Sequence, residues 1–546
     1  MVRYVQLAHN RRVEGTTQAE VLVNLGREDR LDVDGLRRLV GSIDRYLGQD
    51  DSGDVARVAG DGLSVLESRP AGTAWLLDGL WRKLGVDRAL AGVLGARRFT
   101  TDVERVLFAL VANRAIDPMS KLAASEWAGA DAAIPGLESM DEDQAYRAMD
   151  LLVAADAEAR VQEAVFFSVA DLLNLEVDLL FFDTTSTYFE TEDEDDFRRH
   201  GKSKDSRDDL PQIVIGLAVT REGIPVRVWC WPGNTSDQAI LPEVKDGLRG
   251  WRLGRVVTVV DRGFSSAANL EYLRRAGGHW IAGERMRDGS PAAKEALSRQ
   301  GRYQSVRDNL RVKEVQLAST PGVRWIVCHN PVEARRDEAR RDEALARLEA
   351  ELEHIRTARS RTAKRAAKKN AKACETAHAK AECALREHPT LSRWLRQLPS
   401  GRLVIDRARV AAEERLDGKY LLSTSDPDLS AEDTALGYKN LLEAERGFRD
   451  LKSTLELRPV FHRIEPRIRA HVLLCWLALL LVRVAERRCE TSWRRIATEL
   501  GRVHAVTLAG SAGTVVQTTP PSPAASGFLE ACGVSPPPRI TTIDPT

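Results

Sequence analysis

Between residues 177 and 283 the hydrophobic pattern leaves the helical period and becomes short apolar runs bounded by turns, which restricts the folds open to this chain. VDLLFFDTTSTYF (177–189), IVIGLAVT (213–220) and IPVRVWCW (224–231) read as three strands, the last two joined by the turn REG at 221–223. SDQAILPEVKDGL (236–248) reads as a helix, RVVTVVD (255–261) as a strand, SAANLEYLRRAG (266–277) as a helix and HWIAG (279–283) as a fifth strand. A hairpin followed by strand–helix alternation predicts a mixed sheet flanked by helices, an α/β core rather than a sandwich.

The rest of the chain sorts around that core. Residues 1–72 hold two alternating segments, Arg3–Ala8 and Glu20–Leu25, a helix candidate from Val33 to Leu47 and a Gly- and Ser-containing linker over 49–72. Residues 73–175 are patterned as helices with almost no strand signal, which predicts a helical domain and a candidate DNA-binding unit. After the first part of the core (176–285), residues 286–428 read as an insertion. It has strands at 303–317 and 322–329, a long charged helix opening at 345–355 and closing with HPTLSRWLRQLP (388–399), and a strand at 419–425. Within it Arg356–Lys372 carries basic residues and no acid, which suits either a solvated helical arm or a surface that tracks phosphates. The core resumes over 429–509, where 467–488 is apolar nearly all round and so reads as a buried helix. From 510 to 546 Thr, Ser and Pro dominate, and the expectation is a mostly unstructured tail.

A length of 546 residues calls for several units. Its 80 basic and 80 acidic residues cancel, which argues against a uniformly basic coat but leaves local patches open. Seven dispersed cysteines with no CxxC pair argue against a zinc ribbon or a disulfide framework and suit a reducing cytoplasm. The first fifteen residues lack the apolar run of a signal peptide, and the most apolar stretch, Val472–Val482, is too short to cross a bilayer, so no membrane association is expected.

Three acids carry the chemistry. Asp183 and Asp261 each end an apolar strand, an expensive place for a carboxylate unless a cation or partner offsets the charge. Taken singly, either reads as well as a turn or helix cap. In Gly437–Pro459 the residues Tyr438, Leu441, Glu445, Arg449 and Lys452 recur at steps of three, four, four and three, which puts them on one helical face with Glu445 among cations. Leu442, Ala444, Leu451 and Leu455 form the apolar side, and Arg446 and Asp450 are expected to face solvent. An ordinary ion-paired surface helix fits that stretch as well. Two acids on adjacent strand ends with a third on a nearby helix give hard oxygen donors of the kind that hold Mg²⁺ or Mn²⁺, a set suited to two-metal phosphoryl transfer.

The phrases FDTTSTYFE (182–190), GKSKDSRDDLPQIVIGL (201–217), WPGNTSD (231–237), DRGF (261–264) and LKSTLELRPVFHRIEPRIRAHV (451–472) resemble, as a set, bacterial insertion-sequence transposases of the DDE class. The resemblance is to the YREK-motif group, whose third acid lies in the pattern Tyr, two residues, Arg, three residues, Glu, six residues, Lys. Here Tyr438, Glu445 and Lys452 keep every spacing. Leu441 stands at the Arg position, and Arg449, one turn beyond Glu445, is the candidate replacement.

The resemblance implies a ribonuclease H-like core with a helical N-terminal domain and a mixed strand and long-helix insertion between the second and third acids. It also implies that Asp183, Asp261 and Glu445 are catalytic and bind two Mg²⁺ or Mn²⁺ ions, and that Tyr438 and Lys452 contact DNA. Arg449, Lys204, Arg207, Asn234 and Arg262 are further candidate DNA contacts; for Lys204 and Arg207 a solvated loop is the simpler reading. The implied partners are the element's terminal inverted repeats and target DNA, engaged by a homodimer in the bacterial cytoplasm at the nucleoid. The implied reaction nicks each end by hydrolysis and joins the 3′-OH ends to target DNA. A transposase-derived DNA-binding protein without catalysis is the alternative from another class. A metal-dependent phosphatase of the haloacid dehalogenase type would need an acid two residues after Asp183, where Thr185 stands. His462 and His471 read as core polar groups rather than metal ligands.

Overall fold

The structure is a computed structural model that describes residues 4–13, 16–27, 62–94, 102–154, 157–175, 178–251, 253, 255–287, 289–366 and 372–545. The helix expected over 33–47 and the linker residues 49–61 lie outside the described residues, as do residues 367–371 of the basic block. Strands β1 (Tyr4–Val13) and β2 (Thr16–Arg27) form an antiparallel hairpin, longer than the two alternating segments foretold. Residues 64–70, expected as linker, form strand β3 (Ser64–Pro70). Six helices follow: α1 (Gly72–Lys83), α2 (Val86–Leu94), α3 (Val103–Ile116), α4 (Lys121–Ala130), α5 (Glu142–Ala154) and α6 (Ala157–Leu173). Their starts carry side-chain caps where the sequence offers them. The Asp102 carboxylate accepts from the amides of Glu104 and Arg105, and the Ser120 hydroxyl accepts from Ala123.

The five core strands are β4 (Leu179–Tyr188), β5 (Gln212–Thr220), β6 (Pro225–Pro232), β7 (Val257–Val260) and β8 (His279–Glu284), with α7 (Asp237–Gly247) and α8 (Ala267–Arg274) between the later ones. The insertion contributes α9 (Pro291–Ser298), β9 (Gln304–Arg307), β10 (Leu310–Gln316), β11 (Arg324–His329), α10 (Pro331–Ala366), α11 (Lys372–Glu387), β12 (Leu395–Gln397), β13 (Leu403–Ile405), α12 (Arg407–Glu414) and β14 (Lys419–Thr424). Among the described residues nine strands make one sheet in the order β6-β5-β4-β7-β8-β14-β11-β10-β9. β6, β5 and β4 are antiparallel neighbours, β4, β7 and β8 run parallel, and every later pairing is antiparallel.

The insertion is therefore not a separate module. Its strand β14 pairs directly with β8, and Leu421, Leu422 and Ser423 are buried there, so the core sheet continues through it. The segment 388–399 does not close the long helix. It makes a 3-10 turn over Ser392–Trp394 and then β12, because the turn Pro399–Ser400–Gly401 folds β13 back on it. Leu348, Ile355, Leu385 and Trp394 pack α10, α11 and this hairpin into a small core of their own, with Arg359 on Glu382 at 3.0 Å.

Behind the sheet lie α13 (Ala431–Lys439), α14 (Leu442–Ser453) and α15 (Glu465–Cys489), followed by α16 (Trp493–Leu500), β15 (His504–Gly510), β16 (Gly513–Thr518), α17 (Pro523–Cys532) and β17 (Ile540–Pro545). Among the described residues α15 is the one helix long and apolar enough to cross a membrane. Of its most apolar window 94% is buried against the N-terminal helices, β6 and α17, as expected of a core helix. Among the polar groups that enter this core, Arg114, Lys121, His462 and His471 are all buried. Arg114 donates to the Glu456 carbonyl at 3.1 Å, and His471 lies 3.2 Å from that of Leu457.

The expectation of an unstructured tail is corrected. β15, β16 and β17 form a four-stranded sheet with β3, and Ala525, Leu529, Cys532 and Val534 join the same core as Leu76, Trp81 and Leu479. The Ser- and Pro-rich composition serves local structure here. Ser522 caps α17 by accepting from the Ala525 amide, Pro523 occupies its first turn, and Gly533 ends it at φ 65°.

Candidate active site

Strand register brings the first two acids together. β4 and β7 run parallel with Phe182 opposite Val260, so the next residues, Asp183 and Asp261, stand at the same level on neighbouring strands about 4.8 Å apart. β7 ends there because Asp261 opens a turn, its carbonyl accepting from the Phe264 amide at 2.9 Å. β4 continues to Tyr188 paired with β5 alone. The sheet parts at the two carboxylates, and a cavity of about 260 Å³ fills the opening. Asp183, Asp261, Tyr420, Tyr438, Lys439, Leu441, Leu442 and Glu445 line it.

Glu445 arrives from the helical side, though not on the single helix expected. Asn440 and Leu441 donate to the carbonyls of Gly437 and Tyr438, three residues back, and this tight turn separates α13 from α14. Tyr438 and Glu445 thus come from two helices. Leu441 is buried and Leu442 is 61% exposed, the reverse of their expected sides. α14 packs against β4 and β5, and Gly447 permits the close approach: a Cβ there would stand 2.8 Å from Leu217, the residue paired with Asp183. Gly283 on β8 does the same for Tyr438, whose ring crosses the space a side chain would take. Asp450, expected in solvent, is partly buried and pairs with Arg483 at 2.6 Å.

The Tyr438 hydroxyl donates to Asp261 Oδ1 at 2.8 Å, and burial with that neighbouring carboxylate pushes its pKa well up, so it stays a donor. Burial raises the Asp183 pKa to about 6, and Asp261 and Asp237 add to the rise against the opposing pull of Lys204. Lys204, from the β4–β5 loop, places Nζ 3.7 Å from Asp183 Oδ1 and donates to the Thr184 carbonyl at 2.6 Å and hydroxyl at 2.7 Å. Thr184 in turn donates to Asp237 Oδ1 at 2.7 Å. Among the described residues no three His, Cys, Asp or Glu side chains already converge as metal ligands. The donor set still fits a hard divalent ion, because the three acids share one cavity and Asp183 carries a charge its surroundings offset only in part.

The remaining predicted contacts distribute unevenly. Arg262 and Arg449 are exposed beside Asp261 and Glu445, and Asn234 is exposed just after β6. Lys452 is largely buried on Asp205 at 2.9 Å, which also takes Arg458 at 3.2 Å. Arg207 pairs with Asp209 at 2.8 Å and covers the Tyr188 ring at 5.0 Å. Trp231 is core, stacked on Trp229 and bonded to Glu243. Sequence reasoning missed Asp205 and Asp237. The second lies within the WPGNTSD phrase but has the look of an ordinary helix start.

Sheet register, paired strand-end carboxylates and a third acid on an adjoining helix bring together hard oxygen donors of the kind suited to metal-dependent phosphoryl transfer. Over residues 178–481, more than half of its length, the chain matches the transposase DDE domain, and it belongs to that family. Residues 1–54 match the N-terminal domain of IS1634 family transposases. The protein is thus a DNA transposase, an enzyme of a family that works with divalent metal ions. Among curated proteins none matches the chain. A solved piggyBac transposase synaptic complex with hairpin DNA is similar over 78% of this chain and 76% of that one, with 9% identity and a TM-score of 0.36.

Proposed function

We propose that this transposase nicks the ends of an insertion sequence by hydrolysis and joins the freed 3′-OH ends to target DNA, with Asp183, Asp261 and Glu445 as its three acids. The observation that carries the reading is the matched register of Asp183 and Asp261 beside a cavity that Glu445 also lines. The order β6-β5-β4-β7-β8, antiparallel and then parallel, supports a ribonuclease H-like core. The spacing of Tyr438, Glu445 and Lys452 supports the YREK-motif group.

Two Mg²⁺ or Mn²⁺ ions held by the three acids would supply an activated oxygen nucleophile and a stabilised leaving oxygen. Tyr438 takes one lone pair of Asp261 Oδ1 and leaves Oδ2 clear of that bond. Lys204, Arg262, Arg449 and Asn234 meet the DNA strand near the acids; Lys452 and Arg207 add phosphate contacts when they leave Asp205 and Asp209. In each step one phosphorus–oxygen bond forms as another breaks. Neither Tyr188 nor Tyr438 forms a bond to DNA. The partners are the terminal inverted repeats and target DNA, bound by a homodimer in the cytoplasm.

A linear DNA carrying the sequence that flanks the gene tests this. Wild type nicks it at the element ends with Mg²⁺ or Mn²⁺, whereas Asp183→Ala, Asp261→Ala and Glu445→Gln bind it and leave it intact. Cutting by all three variants would remove these acids from the centre.

A further inference from the structure

Asp237 stands outside the three acids, yet its carboxylate accepts from the residue after Asp183 and lies beside the turn that follows Asp261. As the first residue of α7 it could serve as an ordinary cap, but its Oδ1 accepts from the Thr184 hydroxyl at 2.7 Å. Its Oδ2 lies 4.0 Å from Lys204 Nζ and 3.5 Å from where a Cβ on Gly263 would stand, in the turn that follows Asp261. Lys204 is held from several directions. Its amide donates to Ser186, its ammonium donates twice to Thr184, and the same ammonium faces Asp183 and Asp237 on either side.

The geometry points to Asp237 as a positioning residue that keeps the Lys204 ammonium from closing on Asp183. Thr184 has one hydroxyl proton, which it gives to Asp237, so its oxygen is free to accept from Lys204. The two contacts fix the ammonium at 3.7 Å from Asp183, outside hydrogen-bond distance. Without the negative charge at 237 only the two Thr184 hydrogen bonds oppose the attraction between Lys204 and Asp183. The ammonium then forms a direct ion pair and competes with a divalent ion for the same oxygen. Asp237 thereby sets how available Asp183 is to metal, an effect of the size that outer hydrogen-bond partners have on metal affinity, about 10- to 100-fold.

The inference rests on the reading of Asp183 as a metal-facing acid, and Mn²⁺ titration of the full chain without DNA, followed by calorimetry, separates the two. Asp237→Asn keeps an acceptor for Thr184 and a residue tolerated at a helix start, and it weakens Mn²⁺ binding about 10- to 100-fold. Adding Lys204→Met to it restores the affinity to that of Lys204→Met alone, a recovery that a purely structural role for Asp237 would not produce. Wild-type affinity in Asp237→Asn, or a double variant as weak as that single one, overturns the role of Asp237 while the metal centre stands. Unchanged Mn²⁺ binding in Asp183→Asn overturns the centre itself and the inference with it.

Discussion

The Tyr438 hydroxyl donates to Asp261 Oδ1 at 2.8 Å, so the helix that leads into Glu445 is pinned to the strand end that carries the second acid. Tyr438→Phe removes that bond and leaves a partly buried carboxylate short of a donor. The expected loss is about 1.5–3 kcal/mol of stability, the usual worth of a hydrogen bond to a charged group, seen as a lower urea midpoint. DNA cleavage falls with it while the salt dependence of DNA binding stays as in wild type. An unchanged midpoint would mean that the contact contributes nothing.

Asp183 is held ionised at neutral pH at a cost, since burial and its acidic neighbours raise its pKa to about 6 from 3.8. A group whose folded pKa is raised binds more protons when folded between those values, so its contribution to stability falls as pH rises through that window. Asp183→Asn is expected to stabilise the metal-free protein at pH 7.5 by at most about 3 kcal/mol, less what its 20% exposure lets solvent screen. Mn²⁺ raises the melting temperature of wild type and leaves the variant's in place. Destabilisation by the substitution in metal-free buffer counts against this account.

The buried cations between α3, α4 and α15 give the fold a pH dependence of its own. Burial, with Arg114 nearby, lowers the Lys121 pKa to about 7. Burial, with Lys121, Arg467 and Arg114, lowers that of His462 to about 3 although Asp150 opposes it. In both cases the unfolded chain binds the extra proton, from pH 10.5 down to 7 for the lysine and from 6.5 down to 3 for the histidine, so stability drops as pH falls through each window. Lys121→Met should remove the dependence between pH 7 and 10.5 and raise stability at pH 7 by up to about 4 kcal/mol. Urea midpoints at pH 7, 8.5 and 10 read it out; a variant curve parallel to wild type sinks the assignment.

Much of the centre was legible because apolar strands advertise their ends. LLFFD and VVTVVD each mark where a strand delivers a carboxylate, and the helical period singled out Glu445. What the linear pattern lacked was register and competition for partners. It could not say that Phe182 faces Val260, nor that Lys452 is taken by Asp205, because both depend on residues distant in sequence. Periodicity also carried one helix straight through Asn440, where three-residue hydrogen bonds break it. Leu441, at that break, is buried, and the cation beside Asp183 is Lys204 from the β4–β5 loop. The strands after residue 503 escaped notice since β15 pairs with β3, more than 430 residues earlier, and each strand alone is short.

That last pairing bears on how the enzyme comes into being. On the ribosome α1 emerges early, yet Leu76, Leu77 and Trp81 find their full cover only when α17 has been made, and β3 has no neighbour until β15 appears. Domains generally fold as they are synthesised, and long-range strand pairing is slow. Here the core that α1 shares with α17, and the sheet that β3 shares with β15, close only after those later segments have been made.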